Sequence, residues 1–251
     1  MKAIKTLTGA AALFLASAIA ASATVVAIFD GIAKGRNTFN QTVAAANGVV
    51  NVDTWANLTP GVSIDRGDYK ITRNNGGSFS PELYGTMSGE VVNINPAGGG
   101  ANPRTDPLDY FASGVTLTFA NALNSIGFEV GDWATCCNAP TTDLFISFDN
   151  GTPINVASAL NLTEGLFPSQ ASPFNIVNEI FVAAFDDSDS FKKVSFWGNG
   201  VGEFLVFGGE VRYALIEEGT LPPSEVPLPA TAGLILAGLS ALAATKRRKR
   251  T

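Results

Sequence analysis

The chain has 251 residues, carries 16 Lys and Arg against 22 Asp and Glu, and contains no histidine. Without histidine there is no Ser-His-Asp or Cys-His catalysis, and zinc chemistry loses its commonest nitrogen ligand. Seven of the bases (Lys2, Lys5, Lys246, Arg247, Arg248, Lys249 and Arg250) lie in the two ends, so nine bases face all 22 acids in between, a net charge of −13 that argues against nucleic acid as a partner.

Residues 1–23 have the parts of a secretory signal in order. Lys2 and Lys5 form the charged start, "GAAALFLASAIA" the apolar run, and Ala21 and Ala23 the small-residue cleavage site. An exported body of residues 24–216 follows. It opens with the apolar, β-branched "ATVVAIFDG". The stretch "GRNTFNQTVAAANG" then predicts a short helix, capped by Asn37, with Phe39, Val43 and Ala46 on one face and Asn47-Gly48 as its stop.

Beyond the helix the apolar period becomes two. "DYKITR", "GVTLTFA", "NSIGFEVG" and "DLFISFDNG" each place alternate apolar residues on one face, and "FKKVSFWGNG" and "EFLVFGGEVRYALI" supply the last strands. Asn150-Gly151 is a hairpin signal. Strands wet on one face and dry on the other must stack to cover their apolar sides. The expected fold is an all-β antiparallel sandwich of jelly-roll type, with one short N-terminal helix and a helical segment at each terminus. "NPAGGGANPRTDP" is too rich in Gly and Pro to pair. Residues 217–225 are charged and proline-rich, and read as an extended, exposed linker.

Residues 226–251 have three parts. Val226, Pro227, Leu228, Pro229 and Ala230 form a segment that can enter neither helix nor sheet. "ATAGLILAGLSALAA" is an uncharged run, short beside the ~20 residues of a stable membrane span. Lys246, Arg247, Arg248, Lys249 and Arg250 make a basic stop that stays in the cytoplasm. This layout resembles the C-terminal sorting signal of PEP-CTERM exported proteins, in the variant whose motif reads VPLPA. The resemblance implies a Gram-negative organism that makes extracellular polysaccharide. It also implies export by the general secretion machinery and a transient tether in the inner membrane. An exosortase-like transpeptidase with a cysteine nucleophile then cuts near the motif and delivers the body to the envelope or matrix. Leu228 stands where the namesake motif has Glu, which implies a processing-enzyme subtype. The alternative is a permanent tail anchor. The body also resembles those that such proteins carry, in "GVTLTFANALNSIGFEVGD" and "FKKVSFWG", which implies a sandwich and adds no activity.

Several side chains are candidate sites. Asp186, Asp187 and Asp189 offer hard oxygens to calcium, although their spacing is not that of an EF-hand loop, and a solvated turn is the plainer reading. No other cofactor is expected. Of Trp55, Trp133 and Trp197, Trp133 lies in a loop by composition and is the candidate for stacking on a sugar, whereas Trp197 ends a strand and packs. Glu129, Asp132, Asp143, Glu203 and Glu210 are the acids from which a glycosidase would draw its pair, but alternation places many of them on solvent faces. The adjacent Cys136 and Cys137 form a local disulfide clamp on the Trp133 loop, a link to another chain, or two idle thiols. The expectation is a non-enzymatic exported surface or matrix protein that binds polysaccharide. The alternatives are a secreted carbohydrate-active enzyme and a permanently anchored envelope protein.

Overall fold

The computed structural model describes residues 24–29, 31–94, 106–133, 142–159, 179–198 and 205–221. The signal segment, Cys136 and Cys137, Glu203, the VPLPA motif, the apolar run and the basic stop lie outside these residues. So does most of the Gly- and Pro-rich loop.

The described strands form two antiparallel sheets. The first contains β1 (Val25–Phe29), β2 (Asn51–Thr54), β5 (Glu82–Leu83), β6 (Glu90–Ile94), β8 (Ser125–Gly131), β11 (Ile180–Phe185) and β13 (Leu205–Ala214). Its order is β1-β11-β8-β13-β6-β5, with β2 also paired to β13. The second contains β3 (Ser63–Asp65), β4 (Tyr69–Arg73), β7 (Val115–Leu123), β9 (Thr142–Phe148), β10 (Ile154–Ala159) and β12 (Phe191–Gly198), in the order β10-β9-β12-β7-β4-β3. Their facing sides enclose the main core. Phe128 of β8 meets Phe196 of β12 at 4.9 Å and Phe207 of β13 at 4.7 Å between ring centroids. The expected sandwich is therefore present.

Both outer faces are partly covered. Helix α1 (Ile32–Ala45) lies on the first sheet and packs Phe39 and Val43 against Phe181, Ala183 and Phe185 of β11. Its closest approach is at Gly35, where a Cβ would come within 2.3 Å of the Phe181 Cβ. The helix begins five residues before Asn37, which sits inside it and does not cap it. Gly31 takes the cap position, with no side-chain cap hydrogen bond. Contact with the sheet, rather than a local cap, fixes this start. The C-terminal stop is as expected. Asn47 is left-handed at φ 56°, and the Gly48 N–H returns to the Val43 carbonyl at 2.8 Å.

On the second sheet, a 3-10 helix at Pro107–Ser113 covers Phe145 and Trp197 with Tyr110 and Phe111. The Trp197 indole donates to the Pro107 carbonyl at 2.8 Å. The β9–β10 turn closes from Gly151 N–H to the Phe148 carbonyl at 2.7 Å. Its left-handed pair is Asp149 and Asn150, at φ 47° and 61°, one place before Asn150-Gly151.

Ile94, Gly131 and Gly198 lie at one end of the sandwich. The opposite end is closed by short connections around Asp68, Asn124 and Asp186.

Candidate functional site

At the short-loop end the two sheets part around a cleft of about 220 Å³. Asn51 of β2, Asp68 before β4, Phe119 and Asn121 of β7, and Tyr213 of β13 line it. Strand register places them. Tyr69 pairs with Phe119 across β4 and β7, and Tyr213 pairs with Asn51 across β13 and β2. Three rings then gather where the sheets meet. Tyr69 lies 4.8 Å from Phe119 and 5.9 Å from Tyr213, and Phe119 lies 5.2 Å from Tyr213.

The cluster is locked from below. Buried Trp55 donates its indole N–H to the Tyr69 hydroxyl at 2.7 Å, and Tyr69 donates to Asp53 at 2.6 Å. Arg66 holds Asp53 with two bonds of 2.9 and 2.6 Å. Burial raises the Tyr69 pKa far above its ordinary value, and the hydrogen bond to Asp53 adds to it. At the rim the Tyr213 hydroxyl donates to Asp68. Burial, then that bond and the Asp68 charge, raise the Tyr213 pKa as well. Both phenols are neutral donors at physiological pH. Half-buried Tyr213 thus presents an apolar ring edged by one carboxylate and the carboxamides of Asn51 and Asn121. Such a surface suits a sugar, with C–H groups on the ring and hydroxyls on the polar edge.

The residues read from sequence fare differently. Trp133 is 2 % exposed and belongs to the main core. Its indole offers no face to a sugar, which corrects the stacking expectation. Trp55 is also in the main core, and Trp197 packs as expected. The ring most open to the cleft is Tyr213, which nothing in "EVRYALI" sets apart from an ordinary strand residue.

The three aspartates build a turn. Asp186 accepts from Ser188 N–H, Ser188 hydroxyl and Asp189 N–H on one oxygen and from the Thr24 hydroxyl on the other. Burial raises its pKa, but the hydrogen bonds from Ser188 and Thr24 outweigh this and leave it lowered. Asp189 accepts from Ser190 N–H. Asp187 is buried and accepts the Leu221 N–H at 2.8 Å, while its carbonyl accepts the Gly219 N–H at 3.0 Å. Among the described residues no group of three or more His, Cys, Asp or Glu side chains is placed to hold a metal. Asp186 and Asp189 thus make the hydrogen bonds of a turn. The Asp187 bonds tie the first linker residues to the domain. The stretch 217–221 is turned and held, where an extended segment was expected.

Of the acids considered as a catalytic pair, Glu129 and Glu210 do come together, but beneath α1. Glu129 is fully buried on the outer face of β8, where alternation had suggested solvent. Arg36 of α1 pairs with Glu129 and lies 2.9 Å from Glu210, which also holds Arg212 at 2.7 Å. Burial raises the Glu129 pKa, against the lowering effects of Ser88 and Arg36. Two carboxylates sharing one guanidinium under a helix clamp that helix. Asp143 is buried at 3 % exposure, and Asp132 is left-handed at φ 61°.

No family model matches the chain, and no curated protein does. One solved structure is similar, a mutant of CBM29-2 from family 29 of the carbohydrate-binding modules, made to probe ligand recognition. The two share 13 % identity at a TM-score of 0.33, over 66 % of this chain and 92 % of that one. The functional reading rests on the cleft's own residues. No helix among the described residues is long and apolar enough to cross a membrane.

Proposed function

We propose that the chain is an exported, non-catalytic surface or matrix protein that binds glycan at the Tyr213 cleft and is sorted through its C-terminal VPLPA segment. The observation that carries the binding reading is the three-ring cluster edged by Asp68, Asn51 and Asn121. The VPLPA segment, the short apolar run and the basic end support the sorting reading. In that reading an exosortase-like enzyme cuts near Val226 to Ala230 and frees the body into the envelope or polysaccharide matrix. Leu221 is held to the domain, so the motif begins five residues on, within a reach of roughly 17 Å.

Two experiments test the halves separately. The intact mass of the protein from its own cells is expected to end between Val226 and Ala230. A tail complete to Thr251 contradicts cleavage and leaves a permanent anchor. Affinity electrophoresis through polysaccharide from the same cells is expected to retard the protein. Free migration through every envelope and matrix fraction contradicts glycan binding.

A further inference from the structure

A second cleft, of about 520 Å³, lies where β4 runs into the following turn, beside β5 and β6. Arg73, Asn75, Ser78, Ser80, Glu82 and Asn93 line it. It is near the end of the sandwich opposite Tyr213, and its volume is in the range of small-ligand sites.

Arg73 is the unusual member. Each of the other described arginines has a carboxylate: Arg36 has Glu129 and Glu210, Arg66 has Asp53, and Arg212 has Glu210. Arg73 forms no ion pair among the described residues. It donates to the Ser78 carbonyl and the Asn93 carbonyl, both at 2.8 Å, and to the Asn93 side-chain oxygen. All three acceptors are neutral. A guanidinium has five N–H donors, so one on each terminal nitrogen is left over. The group lies over the Phe79 ring, 4.8 Å from its centroid, which fixes its plane. Burial acts on its pKa in the downward direction, and no carboxylate bonds it, although Glu82 lines the same cleft. A half-buried, oriented and unpaired guanidinium is a ready partner for a planar oxyanion.

We infer that the Arg73 cleft is a second saccharide site, one that takes a carboxylate-bearing sugar. The carboxylate takes a remaining N–H of Arg73, and the sugar hydroxyls meet Asn75, Ser78 and Ser80. A sugar fits better than an acidic peptide because the lining side chains are polar throughout and leave no apolar pocket for peptide side chains. The −13 charge between the chain's ends repels a densely charged polymer, so the matching polysaccharide carries its acidic sugar sparsely. The site does not depend on the Tyr213 cleft.

The test is an amide NMR titration of ¹⁵N-labelled chain purified from its own cells. The probes are methyl glucuronoside, methyl glucoside (the same ring without the carboxylate) and an acidic hexapeptide. The expected result is shifts at Asn75, Gly77, Ser78, Ser80 and Asn93 with the glucuronoside, and affinity at least roughly tenfold weaker for the glucoside there. Arg73→Gln is expected to abolish the preference. Arg73 also braces its turn, so Asn75→Asp serves as a second variant. It keeps the acceptor for the Gly77 N–H, adds negative charge to the cleft, and is expected to weaken glucuronoside binding. Equal binding of both sugars overturns the inference, as do insensitivity to both substitutions, tighter binding of the peptide, or the absence of shifts at these amides with every probe. Shifts at Asn51, Asp68 and Asn121 report the other cleft in the same spectra, so failure of either site is read apart from the other.

Discussion

The indole N–H of Trp55 donates to the hydroxyl of Tyr69 at 2.7 Å, and both side chains are buried, at 0 % and 2 % exposure. The hydroxyl donates its own hydrogen bond to Asp53, so one oxygen serves two partners. Tyr69→Phe leaves a buried indole N–H without an acceptor and removes a donor from Asp53. The expected cost is about 1–3 kcal/mol. Urea unfolding should show a lower midpoint with an unchanged slope. A midpoint equal to wild type contradicts the role assigned to this chain of bonds.

Asp53 also sets part of the acid response. Burial raises its pKa, but the Arg66 and Tyr69 hydrogen bonds and the Arg66 charge outweigh this and leave it below the ordinary carboxylate value. A lowered folded pKa stabilises the fold above the unfolded value of about 3.9 and loses that stabilisation as pH falls through the folded value. Asp53→Asn should therefore be less stable than wild type near neutrality, and the gap should close below about pH 4. Melting temperatures across that range check it. A gap that persists at the lowest pH contradicts the linkage.

Arg36 neutralises Glu129 and Glu210 beneath α1. Arg36→Met keeps most of the side-chain volume and leaves buried Glu129 without a cation, while Glu210 keeps Arg212. The expected loss at neutral pH is about 3 kcal/mol. Glu129 already has a raised pKa from burial, and removing Arg36 raises it further. A raised folded pKa costs stability as pH rises through it, so the deficit of the variant should be larger at pH 7.5 than at pH 5. Urea unfolding at the two values measures it, and equal deficits count against the clamp.

Gly35→Ala tests the seating of the helix. The added methyl would meet Phe181 Cβ, an atom that cannot move without its strand. Although alanine favours a helix by about 1 kcal/mol over glycine, overpacking of about 1–3 kcal/mol should win, and the protein should melt lower. A gain in stability means that α1 does not lie this close to β11.

The physical reasons for what sequence reading found and missed are visible in single elements. β4 was legible because Tyr69 and Ile71 face the core while Lys70 faces water. β11, "IFVAAF", was missed because α1 covers its outer face, so all six residues are buried and nothing alternates. The same cover hid Glu129, whose alternation was read correctly but whose outward side meets Arg36 and not water. The Tyr213 cleft left no local trace. Tyr213 and Asp68 are 145 residues apart, one on β13 of the first sheet and the other just before β4 of the second, so only the stacking of the sheets brings them together. The aspartate cluster shows the reverse error, a conspicuous local pattern that turn hydrogen bonds fully account for at Asp186.

The most direct test of glycan binding at Tyr213 is a titration of wild-type protein and Tyr213→Ala with neutral oligosaccharides released from the cells' own matrix. Isothermal calorimetry gives both affinities. Loss of one stacking ring should weaken binding by roughly 1–2 kcal/mol, or about tenfold, while the melting temperature shows that the variant still folds. Equal affinities for the two proteins would place the glycan elsewhere and contradict the account of this cleft.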